Sequence, residues 1–247
     1  MAVLVTRPDE QGSALCQQLH DVGIDAMHQP IISIKPGSTL SGIGQALEHF
    51  DIIIAVSQHA VNFTHEAILA SSSRWPKSAT YLAVGQKSAH VLSKKTQQKV
   101  HYPDISDSEH LLRLDVLQNV ENKRIVILRG NGGRELIFDT LMQRGARVEY
   151  REVYKRENIA FHSELLISLW QDNNIQQLVI TSLEQLNHFV SQFSEIELDW
   201  LLTLTLYVPS ERIMQEAMQL GFKKVINTYS ASNKDLLTAL RSTETGQ

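Results

Sequence analysis

Short apolar runs alternate along this chain with longer stretches in which apolar residues recur every three or four positions. Residues 2–5, 52–56, 81–84, 125–128, 178–180 and 203–208 read as strands buried on both faces, with shorter ones at 99–101 and 225–226. Between them the 3.6-residue period predicts helices. The first carries Leu15, Cys16, Leu19 and Val22 on one face and closes at Gly23. Further helices are expected over 38–50, 59–70, from Gly85 to 93, from Leu136 to Gly145, and over 163–171, 183–193 and 211–220. Residues 26–34 and 147–156 read as extended. The patterns Ser106-Asp107-Ser108-Glu109 and Ser232-Asn233-Lys234-Asp235 resemble capping boxes, each followed by a leucine pair, and the tail from Ser242 is expected to fray. Strand, turn and helix in strict alternation is the signature of parallel sheets with crossover helices.

The alternation contains a repeat. Arg7 precedes Gly23 by sixteen residues, as Arg129 precedes Gly145, and nine residues past each glycine stand Ile32 and Tyr154. In a second kind of unit, Ser57 precedes Asn62 by five, as Ser182 precedes Asn187, and a phenylalanine follows each (Phe63, Phe189). The units occur in the order first, second, first, second. The fold class expected is α/β, with two similar domains, each an open parallel sheet with helices on both faces. Neighbouring units pairing through one linker near 119–123, or the first unit pairing with the last through two extended crossings, both satisfy this spacing.

Bulk composition narrows the class. A chain of 247 residues, 43% hydrophobic and 20% charged, is long enough for one large or two small cores. A net charge of −4 without a basic run disfavours nucleic acid as a partner. Cys16 is the only cysteine, so no internal disulfide forms and a reducing compartment is expected. No apolar run has membrane-spanning length, and the N-terminus enters a strand without a basic leader, which points to a cytoplasmic protein.

The loop Gly130-Asn131-Gly132-Gly133-Arg134 lies between a strand and a helix, where free backbone N–H groups attract anions. It is not a dinucleotide fingerprint, because position 135 is Glu, and it lacks the Lys-Ser/Thr of a nucleotide phosphate loop. Neither Ser57 nor Ser182 stands in a nucleophile elbow. The ten histidines are scattered and lack cysteine partners, so no metal site is expected. Trp75, Trp170 and Trp200 read as core or interface residues.

Taken in order, several pieces resemble the uroporphyrinogen-III synthases. They are V-L-V-T-R-P at the N-terminus, the strand ending in Ser57 with Asn62, A-V-G-x-x-S-A from Ala83, I-L-R-G from Ile127, Arg134, R-G-A-x-V from Arg144, Val153-Tyr154, Thr181-Ser182, and S-x-R from Ser210 with Gly221-Phe222. The resemblance covers nearly the whole chain. It implies that the first unit folds with the C-terminal part: residues 1–34 with 158–247 as one domain, 37–150 as the other, and 31–36 with 151–157 as two extended crossing strands. The departures from the family pattern are Val56 before Ser57, Ser210 where a glycine is common, and the apolar Ile213.

The resemblance also implies a chemistry. Hydroxymethylbilane, a linear tetrapyrrole with an acetate and a propionate on every ring, loses a terminal hydroxyl. It then closes through a spiro intermediate with inversion of ring D, and no cofactor is needed. The substrate is already reactive, so the protein mainly fixes one folded geometry. A net-negative protein can hold a polyanion at helix N-termini on the C-terminal edges of its sheets, which facing domains would bring to one cleft. Tyr154 is the expected catalytic residue, since a phenol can give a hydrogen bond or a proton to a departing hydroxyl. The expected substrate-binding set is Arg7, Ser57, Gly85, Ser88, Arg129, Gly130, Arg134, Thr181, Ser182 and Ser210. For each serine or threonine a helix-capping role competes, and for each arginine a surface or interdomain salt bridge. A monomer is expected, with at most transient contact with the enzyme that makes the unstable substrate. A two-lobed anion-binding or sensory module without catalysis is the alternative. A nucleotide-dependent enzyme is disfavoured by the missing glycine and lysine signatures.

Overall fold

The structure, a computed structural model, describes residues 1–244. From the N-terminus it runs β1 (Ala2–Val5), α1 (Asp9–His20), β2 (Asp25–His28), β3 (Ile32–Pro36), α2 (Ile43–Leu47), β4 (Ile52–Ala55), α3 (Gln58–Ala70) and β5 (Thr80–Ala83). It continues with α4 (Gln86–Thr96), β6 (Val100–His101), α5 (Ser108–Leu111), β7 (Arg124–Gly130), α6 (Leu136–Gln143) and β8 (Arg147–Asn158). The last stretch is α7 (Ser163–Asp172), β9 (Ile175–Val179), α8 (Leu183–Val190), α9 (Glu195–Leu201), β10 (Thr205–Val208), α10 (Glu211–Gln219), β11 (Lys224–Asn227) and α11 (Asn233–Glu244).

Contacts divide the chain into two compact units. Residues 1–34 and 157–247 form one, and residues 35–156 form the other. The sheet of the first has the order β11-β10-β9-β1-β2, with β1 parallel to β2 and β9, and β10 parallel to β9 and β11. The sheet of the second has the order β3-β8-β7-β4-β5-β6, and β8 through β6 run parallel. The five strands β8-β7-β4-β5-β6 thus repeat the arrangement β2-β1-β9-β10-β11. The chain enters the second copy at a different strand, which is why its sequence presents the two kinds of unit in alternation. In each sheet one neighbouring pair marks the point where the crossovers leave in opposite directions: β1 with β9, and β7 with β4. Ligands of open α/β sheets bind outside the carboxyl ends of such a pair.

Local chemistry explains the repeat. Gly23 and Gly145 share a φ of +82°. In both, the following amide reaches back five residues, Ile24 N to Leu19 O and Ala146 N to Leu141 O. This helix-ending turn needs a left-handed residue, so each first-type helix stops at its glycine. The central strands β1, β4 and β7 are buried on both faces, apart from Arg124 at the start of β7. In the second unit Ile52, Ile54, Ile125 and Ile127 pack with Ile137 and Leu141 of α6. In the first, Leu4, Leu178, Leu206 and Val208 pack with Trp170, Phe189 and Ile213, while Val3, Val5 and Tyr207 face Leu15, Leu19 and Leu236.

Several local expectations are corrected. The helix expected over 38–50 is only α2, because Gly37 N and Thr39 N donate to Val153 O and Glu152 O and hold that stretch against β8. Val22 lies beyond α1 and is 39% exposed. Asp107, not Ser106, caps α5, its carboxylate accepting from His110 N at 2.7 Å. Helix α9 was not expected, although Ser194 and Glu197 form a capping box at its start. Ser232 does cap α11, accepting from Asp235 N at 3.2 Å. The tail expected to fray at Ser242 instead stays helical to Glu244, and residues 245–247 lie outside the described residues.

Candidate functional site

The carboxyl end of β7 in the second unit is built around Tyr154. Leu128 pairs with Arg151 and Arg129 with Glu152, but Gly130 pairs with Tyr154, so Val153 is one residue extra on β8. Residues four apart on a regular strand lie on one face. Here Tyr150 stacks on Phe138 of α6 at 4.6 Å, whereas Tyr154 meets Phe63 and His59 of α3 at 6.4 and 5.7 Å. The bulge re-aims the second tyrosine, a common device beside active sites. Gly37 N donates to the carbonyl of the bulged Val153 at 3.1 Å.

Tyr154 is 3% exposed, and its ring packs directly against Gly130. A Cβ at position 130 would come within 2.5 Å of the ring. The sequence reading assigned Gly130 to the anion-binding loop; the structure uses its missing side chain as the seat of Tyr154. The phenol oxygen is 3.2 Å from Ser57 Oγ, which donates to it. Ser57 also caps α3, its Oγ accepting from Ala60 N at 3.2 Å. Arg156 stands 5.9 Å from the ring centre. His59, Phe63 and Arg156 were not among the expected site residues. The helical offset of His59 and Phe63 from Ser57 was the available signal.

The other expected residues of this unit fall nearby with mixed roles. Gly85 caps α4, and a Cβ there would meet Ser106 Oγ at 2.7 Å. Ser88 is buried in the first turn of α4. Arg129 is 7% exposed; its Nε donates to Gly130 O, its Nη2 to Gly133 O, and its guanidinium lies 4.3 Å over the Tyr150 ring. Arg134 lies in the loop ahead of α6, which begins at Leu136. The positive φ of Gly132 and Gly133, 99° and 115°, delays the helix, and Arg134 is exposed and pairs with Glu109 at 3.1 Å. With Glu135 at the N-cap and Asp139 in the first turn, the start of α6 already carries carboxylates and is a poorer anion site than the loop suggested.

In the first unit Arg7, at the corresponding strand end, is tied inside the fold. Arg7 is 7% exposed and donates to Asn233 Oδ1, and through Nη2 to Gln11 Oε1 at 2.7 Å; burial lowers its pKa. Both terminal nitrogens therefore have a partner inside the fold, while Nε is buried with none among the described residues. Thr181 gives its amide and its hydroxyl to Gln185 Oε1, each at 2.9 Å. Ser182 and Ser210 cap α8 and α10, accepting from Gln185 N at 3.2 Å and Ile213 N at 3.5 Å. Arg212, in the first turn of α10, is exposed and lines an open groove with Leu183, Asn187 and His188. It was quoted in the S-x-R pattern but not among the expected ligands.

Among the described residues no group of three or more His, Cys, Asp or Glu is placed to hold a metal ion, and no helix is long and apolar enough to cross a membrane. Cys16 is buried, and burial pushes its thiol up to about 11, so it is a packing residue rather than a nucleophile.

Comparison with known proteins places the chain in a family. Residues 13–238 match the family described as uroporphyrinogen-III synthase HemD. The chain is 39% identical over 246 residues to the uroporphyrinogen-III synthase of Escherichia coli (strain K12), covering 98% of this chain and all of that protein. It is 36% identical, with the same coverage, to that of Salmonella typhimurium. Among solved structures it is similar to a mutant uroporphyrinogen III synthase from the extremely thermophilic bacterium Thermus thermophilus, with a TM-score of 0.65, 16% identity and 99% of both chains covered. It is also similar to the uroporphyrinogen-III synthetase of Helicobacter pylori 26695, with a TM-score of 0.60, 14% identity, and 98% of this chain and 99% of that one covered. At those identities the two structures speak for the fold.

Proposed function

The chain belongs to the uroporphyrinogen-III synthase family, and on that premise we propose which of its residues carry the reaction. It is a cyclising lyase acting on a tetrapyrrole. In our reading Tyr154 assists departure of the terminal hydroxyl of hydroxymethylbilane. The C–O bond breaks as a proton from the phenol reaches the leaving oxygen, which departs as water and leaves an electrophilic azafulvenium cation. The far ring attacks it to form a spiro centre, which opens and recloses with ring D inverted. The proton released when the closed product regains aromaticity restores the phenol. Ser57 orients the Tyr154 hydroxyl from 3.2 Å.

Carboxylates of the substrate are held by the helix starts at Ser57, Gly85, Thr181-Ser182 and Ser210, with Ser88 and Arg129 beside them. Arg7 and Arg134 are assigned instead to the internal pairings described above, and Gly130 to seating Tyr154. The same reading takes the chain as a cytoplasmic monomer that meets the enzyme supplying its unstable substrate only transiently.

The observation that carries the proposal is the seat of Tyr154. A bulge, a glycine and a serine converge on one phenol at the carboxyl end of the β7–β4 pair. A binding module without catalysis gives no reason for that convergence. The test is to add the protein to freshly generated hydroxymethylbilane, oxidise the products and measure the ratio of type III to type I uroporphyrin. A large excess of type III is expected. A ratio equal to that of buffer alone overturns the reading.

A further inference from the structure

On the α6 side of β7, within the second unit, lies a cavity of about 200 Å³ that Arg129, one of the carboxylate-holding residues above, helps to line. Val56, Val84, Ile127 and Ile137 give it apolar walls, and Arg129 and Tyr150 also line it. Its volume equals that of roughly six or seven waters at about 30 Å³ each, too small for a tetrapyrrole and ample for a short acid chain.

Three independent features of the lining call for one anionic group. Arg129 is 7% exposed, yet among the described residues no carboxylate lies within ion-pair distance of it, and its hydrogen bonds go to the backbone carbonyls of Gly130 and Gly133. A buried guanidinium without a counter-charge is costly, and stacking over Tyr150 offsets only part of that cost. The second feature is Tyr150 Oη, which is buried and has no hydrogen-bond partner among the described residues. Arg129 stacks over the ring and acts on the phenol by its charge and by a side-chain contact too poorly aligned to count as a hydrogen bond, which leaves the hydroxyl unsatisfied. Burial, ahead of the opposing effect of Arg129, pushes the Tyr150 phenol up, so it keeps its proton and remains a donor. Third, the apolar walls suit a methylene stem. Glu135 and Asp139 act on Tyr150 electrostatically from the start of α6, which disfavours a second negative charge and limits the site to one.

We propose that this cavity is a carboxylate subsite that takes a single acetate or propionate arm of the substrate, its methylenes against the valine and isoleucine walls and its carboxylate between Arg129 and Tyr150 Oη. The proposal rests on the family's tetrapyrrole chemistry and deepens it. Tyr154, turned to the opposite face by the bulge, is left for the hydroxyl while β7 anchors an arm on its other side.

The test uses the whole chain and the variant Tyr150→Phe. Removing an unpartnered buried hydroxyl should not lower the melting temperature, since no hydrogen bond is lost on folding. If the hydroxyl binds an ionised arm, its loss raises KM about tenfold or more while kcat holds, the pattern of lost ground-state binding. In parallel, sodium propionate and propionamide are titrated against the protein while backbone amide resonances of Gly132 and Gly133 are followed. Propionate should shift them in the parent and much less in Tyr150→Phe, and propionamide should shift neither. An unchanged KM in an active Tyr150→Phe enzyme overturns the subsite, as does an equal response to propionate and propionamide. The titration needs no turnover, so failure of the cyclisation assay and failure of this subsite are separate results.

Discussion

Two positions related by the internal repeat have been put to opposite uses. Nine residues past the matched glycines stand Ile32 in the first unit and Tyr154 in the second. Ile32 is 4% exposed and belongs to the apolar cluster with Leu4, Trp170 and Phe189. Tyr154 is equally buried but sits among polar groups, with Ser57 Oγ at its hydroxyl and His59 beside its ring. The strand ends differ to match. After Arg7 comes Pro8, and α1 begins at once; after Arg129 comes Gly130, and the chain runs on to Leu136 before α6 begins. Pro8 could not underlie an aromatic ring as Gly130 does. The duplicated architecture supplies helix starts twice, and the glycine, bulge and serine that seat a tyrosine hydroxyl are found at only one of the two matched positions.

The comparison breaks most visibly if the two residues are exchanged in importance. Tyr154→Phe keeps the ring in its seat over Gly130 and removes only the hydroxyl. Loss of a positioned acid typically costs about 10²–10⁴ in rate, so kcat for type III formation should fall by that range with little change in melting temperature. Ile32→Val at the matched position should cost about 0.5–1.5 kcal/mol of stability, as deletion of one buried methylene does, with kcat unchanged. Single-turnover kinetics and thermal melts measure both. Full activity in Tyr154→Phe would remove the phenol from the mechanism.

A smaller effect is expected at the seat itself. The φ of Gly130 is not positive, so alanine is tolerated by the backbone there, but its Cβ would stand 2.5 Å from the Tyr154 ring. The ring must move. Overpacking of this kind costs about 1–3 kcal/mol, and displacing the hydroxyl from Ser57 should lower kcat by about tenfold to a hundredfold, since an ångström of misplacement has that consequence. Tyr154→Phe combined with Gly130→Ala should then be no slower than Tyr154→Phe alone, because the glycine acts through the phenol. A double variant slower than both would show that Gly130 has a role of its own.

The parts of this molecule that were readable from sequence are those set by local rules. Strand runs and helix periods gave the alternation, and the glycines at 23 and 145 marked helix ends because only a left-handed residue makes that turn. Ser57, Ser182 and Ser210 were recognisable as residues at helix starts. What escaped was decided at long range. The extended stretch before α2 depends on hydrogen bonds to β8 more than a hundred residues away. The division of labour between Tyr150 and Tyr154 depends on a one-residue bulge that no side-chain pattern announces. Arg7 and Arg129 look equivalent in the chain, and only the fold shows one tied to Asn233 and Gln11 and the other stacked on an aromatic ring beside a cavity. Helix α9 is a different kind of miss, since its capping spacing was present and went unread.

The finest distinction the comparison supports is between two serines with the same local job. Ser57 and Ser182 cap their helices with nearly the same backbone, φ and ψ of −157° and 165° against −151° and 158°, and each Oγ accepts an amide N–H at 3.2 Å. Replacing either with alanine should therefore cost about the same stability, on the order of 1 kcal/mol for a lost cap. Only Ser57 also donates to Tyr154 Oη. Ser57→Ala should lower kcat by about threefold to tenfold beyond its effect on folding, the loss of one neutral hydrogen bond of about 0.5–1.5 kcal/mol. Ser182→Ala should leave kcat alone and at most raise KM. Melting temperatures set the common cap contribution, and kcat measured well below those temperatures isolates the remainder. If the two variants lose kcat equally, the contact with Tyr154 has no catalytic consequence, and the asymmetry between the units must rest on the tyrosine and its glycine alone.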